Sequence, residues 1–355
     1  MDNWRADGSV TLVGSMPHQD REEAIDLVIR AVPEIPVWPQ LPAYKSEQMM
    51  VQYLEGLPGI QEGAEDLRVK TDSAQIDQEL YSFYEEYLEI QAGSKDLAGS
   101  RFQLGPETGK TFYRFMEVLS RLDLPCKAVK GQIVGPFTLL SGLKDQRDRA
   151  LLYDERFVDV VAKHLAMKAK WQVQQLESLG HPVILFLDEP ALAGFGSSAF
   201  ISVSRELVQG LLTEVVDAVH AAGALAGIHV CANTDWLLAF DSNVDIINFD
   251  AYHYFEKFAL YKDRIARFIS MNRKIAWGMV PTSDPATIIE ESAQRLADRW
   301  MDQVAELFEG QPGLGEILSC SLFTPSCGCA SLSREMAERV IRLTHELGQI
   351  MRRHA

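Results

Sequence analysis

Short apolar runs, rich in β-branched residues, recur along the chain and are separated by longer stretches with helical periodicity. Such runs predict strands, and eight are present, at 9–13, 34–38, 127–134, 182–187, 225–230, 244–249, 274–279 and 316–323. Amphipathic patterns typical of helices lie between most of them, the clearest at 154–180 and at 204–223, where Gly223 is a suitable C-cap. Near-continuous apolar strands that alternate with helices indicate a parallel sheet covered on both faces.

Eight strand–helix units predict an α/β protein built as a (β/α)8 TIM barrel, a fold whose active sites lie at the carboxyl ends of the strands. The stretch from about 41 to 125 is too long for one connecting helix, and its segment "QELYSFYEEYLEI" has helical character. We therefore expect a helical insertion after the second strand. No linker or internal repeat divides the sequence, so residues 1–355 are expected to form one catalytic barrel domain.

Composition and charge limit the classes of partner. Of the 355 residues, 47% are hydrophobic and 24% are charged, and the formal net charge is −16. Such an acidic surface would repel nucleic acid and anionic membranes, so neither is an expected partner. The sequence shows no signal peptide and no apolar stretch of the ~20 residues that a membrane span needs. Five cysteines, an odd number, fit a reducing cytoplasm better than a set of disulfides.

Side chains with metal-binding or acid–base chemistry fall at the ends of the predicted strands. They are Gly14, Ser15 and His18 after strand one, Asp188 and Glu189 after strand four, His229 and Cys231 at strand five, Asp250, His253 and Glu256 after strand six, and Cys327 and Cys329 after strand eight. In a barrel these ends meet at one rim, where the side chains can share a ligand. His229 and Cys231 occupy alternate positions, so they point to the same side of their strand.

His229, Cys231 and one cysteine of the strand-eight loop would supply one nitrogen and two sulfur ligands, a set that suits zinc. A carboxylate after strand six would be a weak fourth ligand that a thiol substrate displaces. A thiol that binds the metal loses its proton and becomes a nucleophile, so the predicted chemistry is alkyl transfer. Taken alone, the His-x-Cys pair also fits two buried core residues, and "LDEPAL" also fits a strand-ending turn.

Five motifs, in this order, resemble the catalytic domain of cobalamin-independent methionine synthase: "VGSMPH", "GPFTLL", "LDEPAL", "HVC" and "FTPSCG". The resemblance runs from residue 10 to the C-terminus. It implies a (β/α)8 barrel in which zinc is bound by a histidine, two cysteines and a glutamate. It also implies that homocysteine is the thiol that becomes methionine. By motif, His229, Cys231 and Cys327 correspond to three of the zinc ligands.

The same resemblance implies where homocysteine binds. The turn formed by Val13, Gly14 and Ser15 resembles the one that takes the homocysteine carboxylate, and backbone N–H groups are suitable donors to an anion. Asp188 resembles the acid that binds the ammonium group, and Glu189 beside it is assigned to the same subsite. Catalytic roles are assigned to Asp188 and to His253.

Two positions depart from the family pattern. The zinc-binding glutamate of the family falls at Asp250 in this chain, and Glu256 lies farther along, so either carboxylate could be the fourth ligand. We assign Asp250. Cys329 lies two residues beyond Cys327, so either thiol could bind the metal, and we assign Cys327 because it fits the family motif.

The methyl donor is open to three interpretations. Full-length family members carry a further N-terminal barrel that helps to bind folate, and this chain resembles a short, single-barrel form. Methylcobalamin or a methyl-corrinoid protein is then the expected donor, with methyl-folate as the alternative. No corrinoid-binding motif of the type Asp-x-His-x-x-Gly occurs, so a corrinoid would be a substrate or would be carried by a partner protein.

Two other functions stay open. "HVCANT" also resembles the coenzyme M methyltransferases and the related uroporphyrinogen decarboxylases. Asp188 suits the ammonium group of an amino acid rather than a sulfonate, and "VTLVGSMPHQDREEA" lacks the arginine cluster that a porphyrinogen needs. The third hypothesis is a non-catalytic barrel that binds zinc structurally or senses a small molecule. A structural zinc would have four closed protein ligands and no pocket beside it.

Overall fold

The computed structural model describes residues 4–60, 67–308, 310 and 312–354. Its strands are β1 (Arg68–Val69), β2 (Val129–Val134), β3 (Lys144–Asp145), β4 (Val183–Asp188), β5 (Leu225–Val230), β6 (Ile246–Phe249), β7 (Lys274–Val280) and β8 (Ser321–Pro325). Its α-helices are α1 (Arg21–Ala31), α2 (Ile76–Gln91), α3 (Lys110–Leu119), α4 (Pro136–Gly142), α5 (Glu155–Glu177), α6 (Arg205–Ala221), α7 (Leu237–Asp241), α8 (Ala251–Ala259), α9 (Lys262–Ser270), α10 (Pro285–Glu290), α11 (Ala293–Phe308), α12 (Leu314–Ser319) and α13 (Arg334–Met351). Strands and helices alternate over most of the chain, as the sequence pattern predicts.

Six of the strands form one parallel sheet, in the order β2-β4-β5-β6-β7-β8. Each strand of this sheet pairs with the next one along the sequence, and helices lie in the connections between them. The strands are buried along their whole length, which explains their near-continuous apolar sequences. β1 and β3 form a separate parallel pair.

The first two predicted strands are not regular strands in the structure. The segment at 9–13 joins β8, and the segment at 34–38 joins β2, each through a single isolated parallel bridge. A third parallel bridge pairs Ser15 with Gln40, each two residues beyond the end of one of these segments. Pro36 interrupts the second segment and Pro33 and Pro39 flank it, and proline has no N–H to donate to a neighbouring strand. The structure therefore establishes a parallel six-stranded sheet with bridged edges, and not a complete eight-stranded barrel.

The strand predicted at 316–323 begins later than expected. Its first part forms α12, and β8 starts only at Ser321. Ile317 and Leu318 are buried from the helix, so the apolar run that suggested a strand belongs to two different elements. A short buried run does not distinguish helix from strand by its periodicity. The other five predicted strands of the sheet agree with the structure to within two residues at each end.

The predicted insertion at 41–125 carries α2, α3 and the short strand β1, while residues 61–66 lie outside the described part of the chain. The helix predicted in "QELYSFYEEYLEI" is confirmed as part of α2, which buries Leu80 and Phe83.

The predicted end of α6 is also confirmed. Gly223 adopts a φ of +85° just after this helix, and its N–H donates to the carbonyl of His220 at 2.9 Å. Left-handed backbone of this kind favours glycine. Within the described residues, no helix combines the length and the apolar character needed to cross a lipid bilayer.

One face of the sheet changes character along its strands. Near the amino ends, side chains on this face pack into one apolar cluster that includes Ile184, Phe186, Leu225, Ile246 and Leu322. Side chains alternate with a period of two, so residues two or four positions farther along share that face. Near the carboxyl ends these residues are polar: Asp188, His229, Asn248, Asp250, Thr324 and Ser326. The polar groups of the candidate site therefore lie directly above an apolar floor.

Candidate metal centre

Three soft ligand atoms meet at the carboxyl ends of β5 and β8. His229 is the penultimate residue of β5, Cys231 follows that strand, and Cys327 lies two residues beyond β8. One ligand atom from each of these side chains lies within 4.8 Å of the other two. Zinc binds nitrogen and sulfur at about 2.0–2.3 Å, so one ion could be bound by all three atoms.

Asn248 fixes the orientation of the His229 ring. Its amide nitrogen donates to the Ala276 carbonyl and to the Thr324 hydroxyl, both at 2.8 Å. The amide oxygen must therefore face His229, whose Nδ1–H donates to it at 2.6 Å. The remaining ring nitrogen, Nε2, is buried and has no hydrogen-bond partner among the described residues. In the neutral ring this nitrogen carries the lone pair that a metal-binding histidine requires, so the donor set fits zinc.

The three side chains change one another's protonation. The Cys327 thiol and the His229 imidazole hold the pKa of Cys231 well below its usual value. The neighbouring Cys231 and burial raise the pKa of Cys327. Burial opposes the charged form of His229, but contacts with Cys231, Asp188 and Asn248 outweigh it and raise the pKa of the ring. The centre therefore favours a negative charge on the Cys231 sulfur.

A cavity of about 400 Å³ lies beside the two cysteines. Its walls are formed by Cys231, Asp250, His253, Tyr254, Thr282, Ser283, Ser326, Cys327, Gly328 and Ser331. The two sulfurs thus share one space with Asp250 and His253, two of the three groups predicted after strand six. Small-molecule sites are concave spaces of this order of size that place a few polar groups together.

Asp250 and His253 form a hydrogen-bonded pair in the wall of this cavity. Asp250 caps α8: one carboxylate oxygen accepts from the His253 backbone N–H at 2.9 Å, and the other accepts from Nδ1 at 2.8 Å. Burial raises the pKa of Asp250. His253 Nε2 lies 3.4 Å from the Ser283 hydroxyl. Asp250 is therefore engaged with His253 rather than grouped with the three side chains of the candidate centre, and the exposed Glu256 does not line the cavity.

Asp188 is a buried carboxyl beside the metal centre. The register of β4 and β5 pairs it with His229, and its Oδ1 has no hydrogen-bond partner in the described chain. Burial raises the pKa of Asp188 to about 6. An unpartnered buried acceptor is costly, so this oxygen is suited to receive a donor from a ligand.

Glu189 faces protein rather than the cavity. Its carboxylate accepts hydrogen bonds from the backbone N–H groups of Phe137 and Thr138, at 2.9 and 2.8 Å, and from the Thr138 hydroxyl at 2.5 Å. Burial raises its pKa to about 7. A Cβ at Gly135 would lie 2.1 Å from this carboxyl group, so that position accepts only glycine. The motifs "LDEPAL" and "GPFTLL" are thus parts of one structural contact.

The turn of Val13, Gly14 and Ser15 lies against the loop that carries Cys327. Gly14 has a φ of +143°, and the carbonyl of Ser15 accepts from the Cys329 N–H at 2.8 Å. Cys329 itself is buried outside the three-residue centre, and burial raises its pKa to about 12. His18 is buried too, and neither of its ring nitrogens has a hydrogen-bond partner in the described part of the chain.

Sequence reasoning missed two residues that the structure brings into the site. Asn248 precedes Asp250 by two positions and so shares its face of β6, a relation that the strand pattern could have revealed. Lys130 is a fully buried charge in the middle of the apolar β2, and a lone lysine in such a strand is an unusual signal. Both residues contact distant parts of the chain: Asn248 contacts the His229 ring, and Lys130 contacts the Val13 carbonyl.

Comparisons with known proteins identify a fold and no family. No model of a known protein family matches the sequence, and a search of curated proteins finds no significant match. A methyltransferase from Methanosarcina mazei has 13% identity and a TM-score of 0.52, over 96% of this chain and 94% of that one. A B12-independent methionine synthase from Shewanella sp. W3-18-1 has 19% identity over 68% of this chain and 67% of that one. Its TM-score of 0.46 is too low to carry an argument. The first similarity shows a shared fold.

Proposed function

We propose that this protein is a zinc-dependent methyltransferase that moves a methyl group to the thiol of homocysteine and so forms methionine. The observation that carries the proposal is the centre of His229, Cys231 and Cys327, in which Asn248 leaves the histidine Nε2 free for a metal ion. The fold shared with a solved methyltransferase is compatible with this activity. We also propose that the bridged N-terminal segments complete a (β/α)8 barrel that the whole chain forms as one domain.

The proposed division of labour follows from the contacts. His229, Cys231 and Cys327 would hold the zinc, and Asp250, which contacts His253 in the structure, would be the fourth ligand. Zinc in such a site lowers the pKa of a thiol that binds to it, and so makes sulfur a nucleophile at neutral pH. Asp250 accepts from Nδ1 of His253 in the structure, which leaves Nε2 of that ring as an acceptor. This nitrogen would receive the proton of a thiol that lies in the cavity.

The substrate's amino-acid end is proposed to bind beside the sulfur. The unpartnered Oδ1 of Asp188 accepts from the ammonium group, and the N–H groups of the turn that contains Gly14 and Ser15 donate to the carboxylate. Glu189, assigned to the same subsite by sequence, supports it indirectly by holding α4 next to Asp188.

The proposed methyl donor is methylcobalamin or a methyl-corrinoid protein, with methyl-folate as the alternative. The sulfur electron pair forms the new bond to the methyl carbon, and the electron pair of the broken carbon–cobalt bond stays with the corrinoid. The corrinoid therefore leaves as cob(I)alamin, whose absorption spectrum differs from that of the methylated form.

The cavity disfavours the alternative of a structural zinc. A structural site is closed by four protein ligands, whereas here three side chains converge beside a space of about 400 Å³. The second alternative keeps the zinc and changes the thiol to one such as coenzyme M. Asp188 disfavours a substrate that carries a sulfonate and lacks an ammonium group, because its carboxylate would then have no donor and a like charge nearby.

The test is turnover of homocysteine with methylcobalamin by the purified, zinc-loaded protein, followed by the cobalamin spectrum and by methionine formation. We expect wild type to turn over, and Cys327→Ser to lose both zinc and activity. Cys126→Ser, which changes a half-buried thiol outside the centre, is the control and should behave as wild type. Cys329→Ser decides between the two thiols of the loop, and we expect it to retain zinc.

Three results would contradict the proposal. Zinc bound at full occupancy with no turnover of any thiol would favour a structural or sensing role. Turnover of coenzyme M without turnover of homocysteine would transfer the assignment to another thiol. Loss of zinc from Cys329→Ser but not from Cys327→Ser would exchange the metal-binding cysteine.

A further inference from the structure

Lys130 is a fully buried lysine on β2. Its Nζ donates to the backbone carbonyl of Val13 at 2.7 Å and lies 4.4 Å from the centre of the Phe186 ring. An ammonium group has three N–H donors, and the described residues provide this single hydrogen bond. A buried charge with so few partners is costly to the folded state. Because this charge destabilises the folded state, its presence indicates that Lys130 has a function.

The carbonyl that Lys130 contacts belongs to the peptide unit that joins Val13 to Gly14. In a trans peptide the C=O and N–H groups point in opposite directions. The N–H of Gly14 therefore points away from the ammonium, and no acceptor for it is found in the described residues. A hydrogen bond to the carbonyl polarises the whole unit and makes its N–H a stronger donor.

Two further observations keep this peptide unit in place. The Cβ of any other residue at Gly14 would lie 2.8 Å from the Gln132 side chain, and the φ of +143° also disfavours one. The adjoining peptide unit, which joins Gly14 to Ser15, is fixed as well, because the Gly14 carbonyl accepts from the Gln40 N–H at 3.0 Å. Burial lowers the pKa of Lys130 to about 8, against the opposing effect of Asp188, so the side chain is charged at neutral pH.

We propose that Lys130 is a positioning residue that orients and polarises the Gly14 N–H for the carboxylate of the thiol substrate. The inference rests on the proposed function, since it takes an amino-acid thiol as the substrate. It adds the residue that gives the turn its selectivity for a carboxylate. The positive charge behind the peptide unit attracts the anion without touching it, and the backbone N–H makes the contact.

The test compares two ligands and two proteins. Homocysteine and 3-aminopropane-1-thiol share the thiol and the amine, but only the first has a carboxylate. Their affinities for zinc-loaded wild type and Lys130→Met are measured by isothermal titration calorimetry. We expect wild type to prefer homocysteine by about tenfold or more, because the carboxylate gains a charge-assisted hydrogen bond. Lys130→Met should lose most of this preference while its affinity for the aminothiol stays unchanged.

The outcomes separate the inference from the proposed function. If Lys130→Met keeps the preference, the inference is overturned and the proposed function stands. If wild type binds neither thiol, both are overturned. Should Lys130→Met not fold, the wild-type protein labelled with 15N-glycine gives the answer. The amide signal of Gly14 should shift on addition of homocysteine and not on addition of the aminothiol, and an unshifted signal with homocysteine bound would overturn the inference.

Discussion

One face of the sheet carries the apolar cluster at the amino ends of its strands and the candidate site at the carboxyl ends. The two ends differ in how their buried groups are paired. At the amino ends, residues such as Ile184 and Ile246 are fully buried in an apolar cluster. At the carboxyl ends, Asp188 and His229 are almost as buried, yet each keeps a polar atom without a partner in the described chain. Burial alone therefore does not separate framework from site. The two ends differ in hydrogen bonding, because the unpartnered oxygen of Asp188 and the unpartnered nitrogen of His229 remain available to a ligand.

The largest expected effect is at the metal centre. His229→Ala removes the single nitrogen ligand of the proposed set, and we expect zinc affinity to fall roughly a thousandfold. Competition with a chromogenic chelator measures this loss. His354→Ala, an exposed histidine near the C-terminus, is the control. Without metal, the variant should also be less stable than wild type, because the Asn248 oxygen loses its donor and the missing ring leaves a cavity.

The opposite result is expected at the amino end. Ile246→Ala leaves a cavity in the apolar cluster and should lower the free energy of unfolding by about 3–4 kcal/mol. Zinc affinity under folding conditions should stay within a factor of about two, since only large shifts at the rim would alter it. Urea denaturation measures the stability change, with the exposed Ile289→Ala as control. A fall in zinc affinity at unchanged stability would contradict the proposed difference between the amino and carboxyl ends of the strands.

Lys130 gives the comparison a pH dependence. Its pKa falls from 10.5 in the unfolded chain to about 8 in the folded protein, so the folded state binds fewer protons between these values. Stability should therefore rise with pH across this interval, by roughly 3 kcal/mol in total. Lys130→Met has no buried charge to lose, so wild type should gain stability relative to the variant between about pH 8 and about pH 10.5. A difference that is independent of pH would contradict the assignment.

The smallest effect is expected at Asn248, which contacts the His229 ring and not the proposed metal ion itself. Asn248→Ala frees the His229 ring to rotate and to change tautomer, and we expect zinc affinity to fall about 10- to 100-fold. Thr324→Val removes only one of the two partners of the Asn248 amide and should cost less than about tenfold. Zinc titration of both variants measures the order. Equal affinities for Asn248→Ala and wild type would show that the ring is held by other contacts.

The parts that the sequence predicts well are those set by local chemistry. His229, Cys231 and Cys327 stand out because soft ligands at strand ends are uncommon, and a parallel fold brings strand ends together. The strand pattern could have placed Asn248 on the site face, but the contacts of Asn248 and Glu189 could not be predicted, since each depends on a partner from a distant part of the chain. Glu189 was assigned to a substrate on its identity alone, and only the structure reveals the helix that it caps.

The strands, too, were predicted well where local chemistry determines them. Five strands of the sheet could be placed from apolar runs, because burial on both faces produces such runs directly. The segment at 34–38 has a similar apolar character, but its prolines remove donors, so it makes one bridge where a strand was expected. The run at 316–323 divides between a helix and a strand, a boundary that periodicity over so few residues does not locate.

The contact between the Ser15 carbonyl and the Cys329 N–H has a consequence for the order of assembly. During synthesis, residue 15 leaves the ribosome long before residue 329, and the intervening strands can pair while the last one is still missing. The turn at Gly14 and the loop of Cys327 can therefore meet only after nearly the whole polypeptide has emerged. A nascent chain stalled before β8 should hold a largely formed sheet that has no capacity to retain zinc.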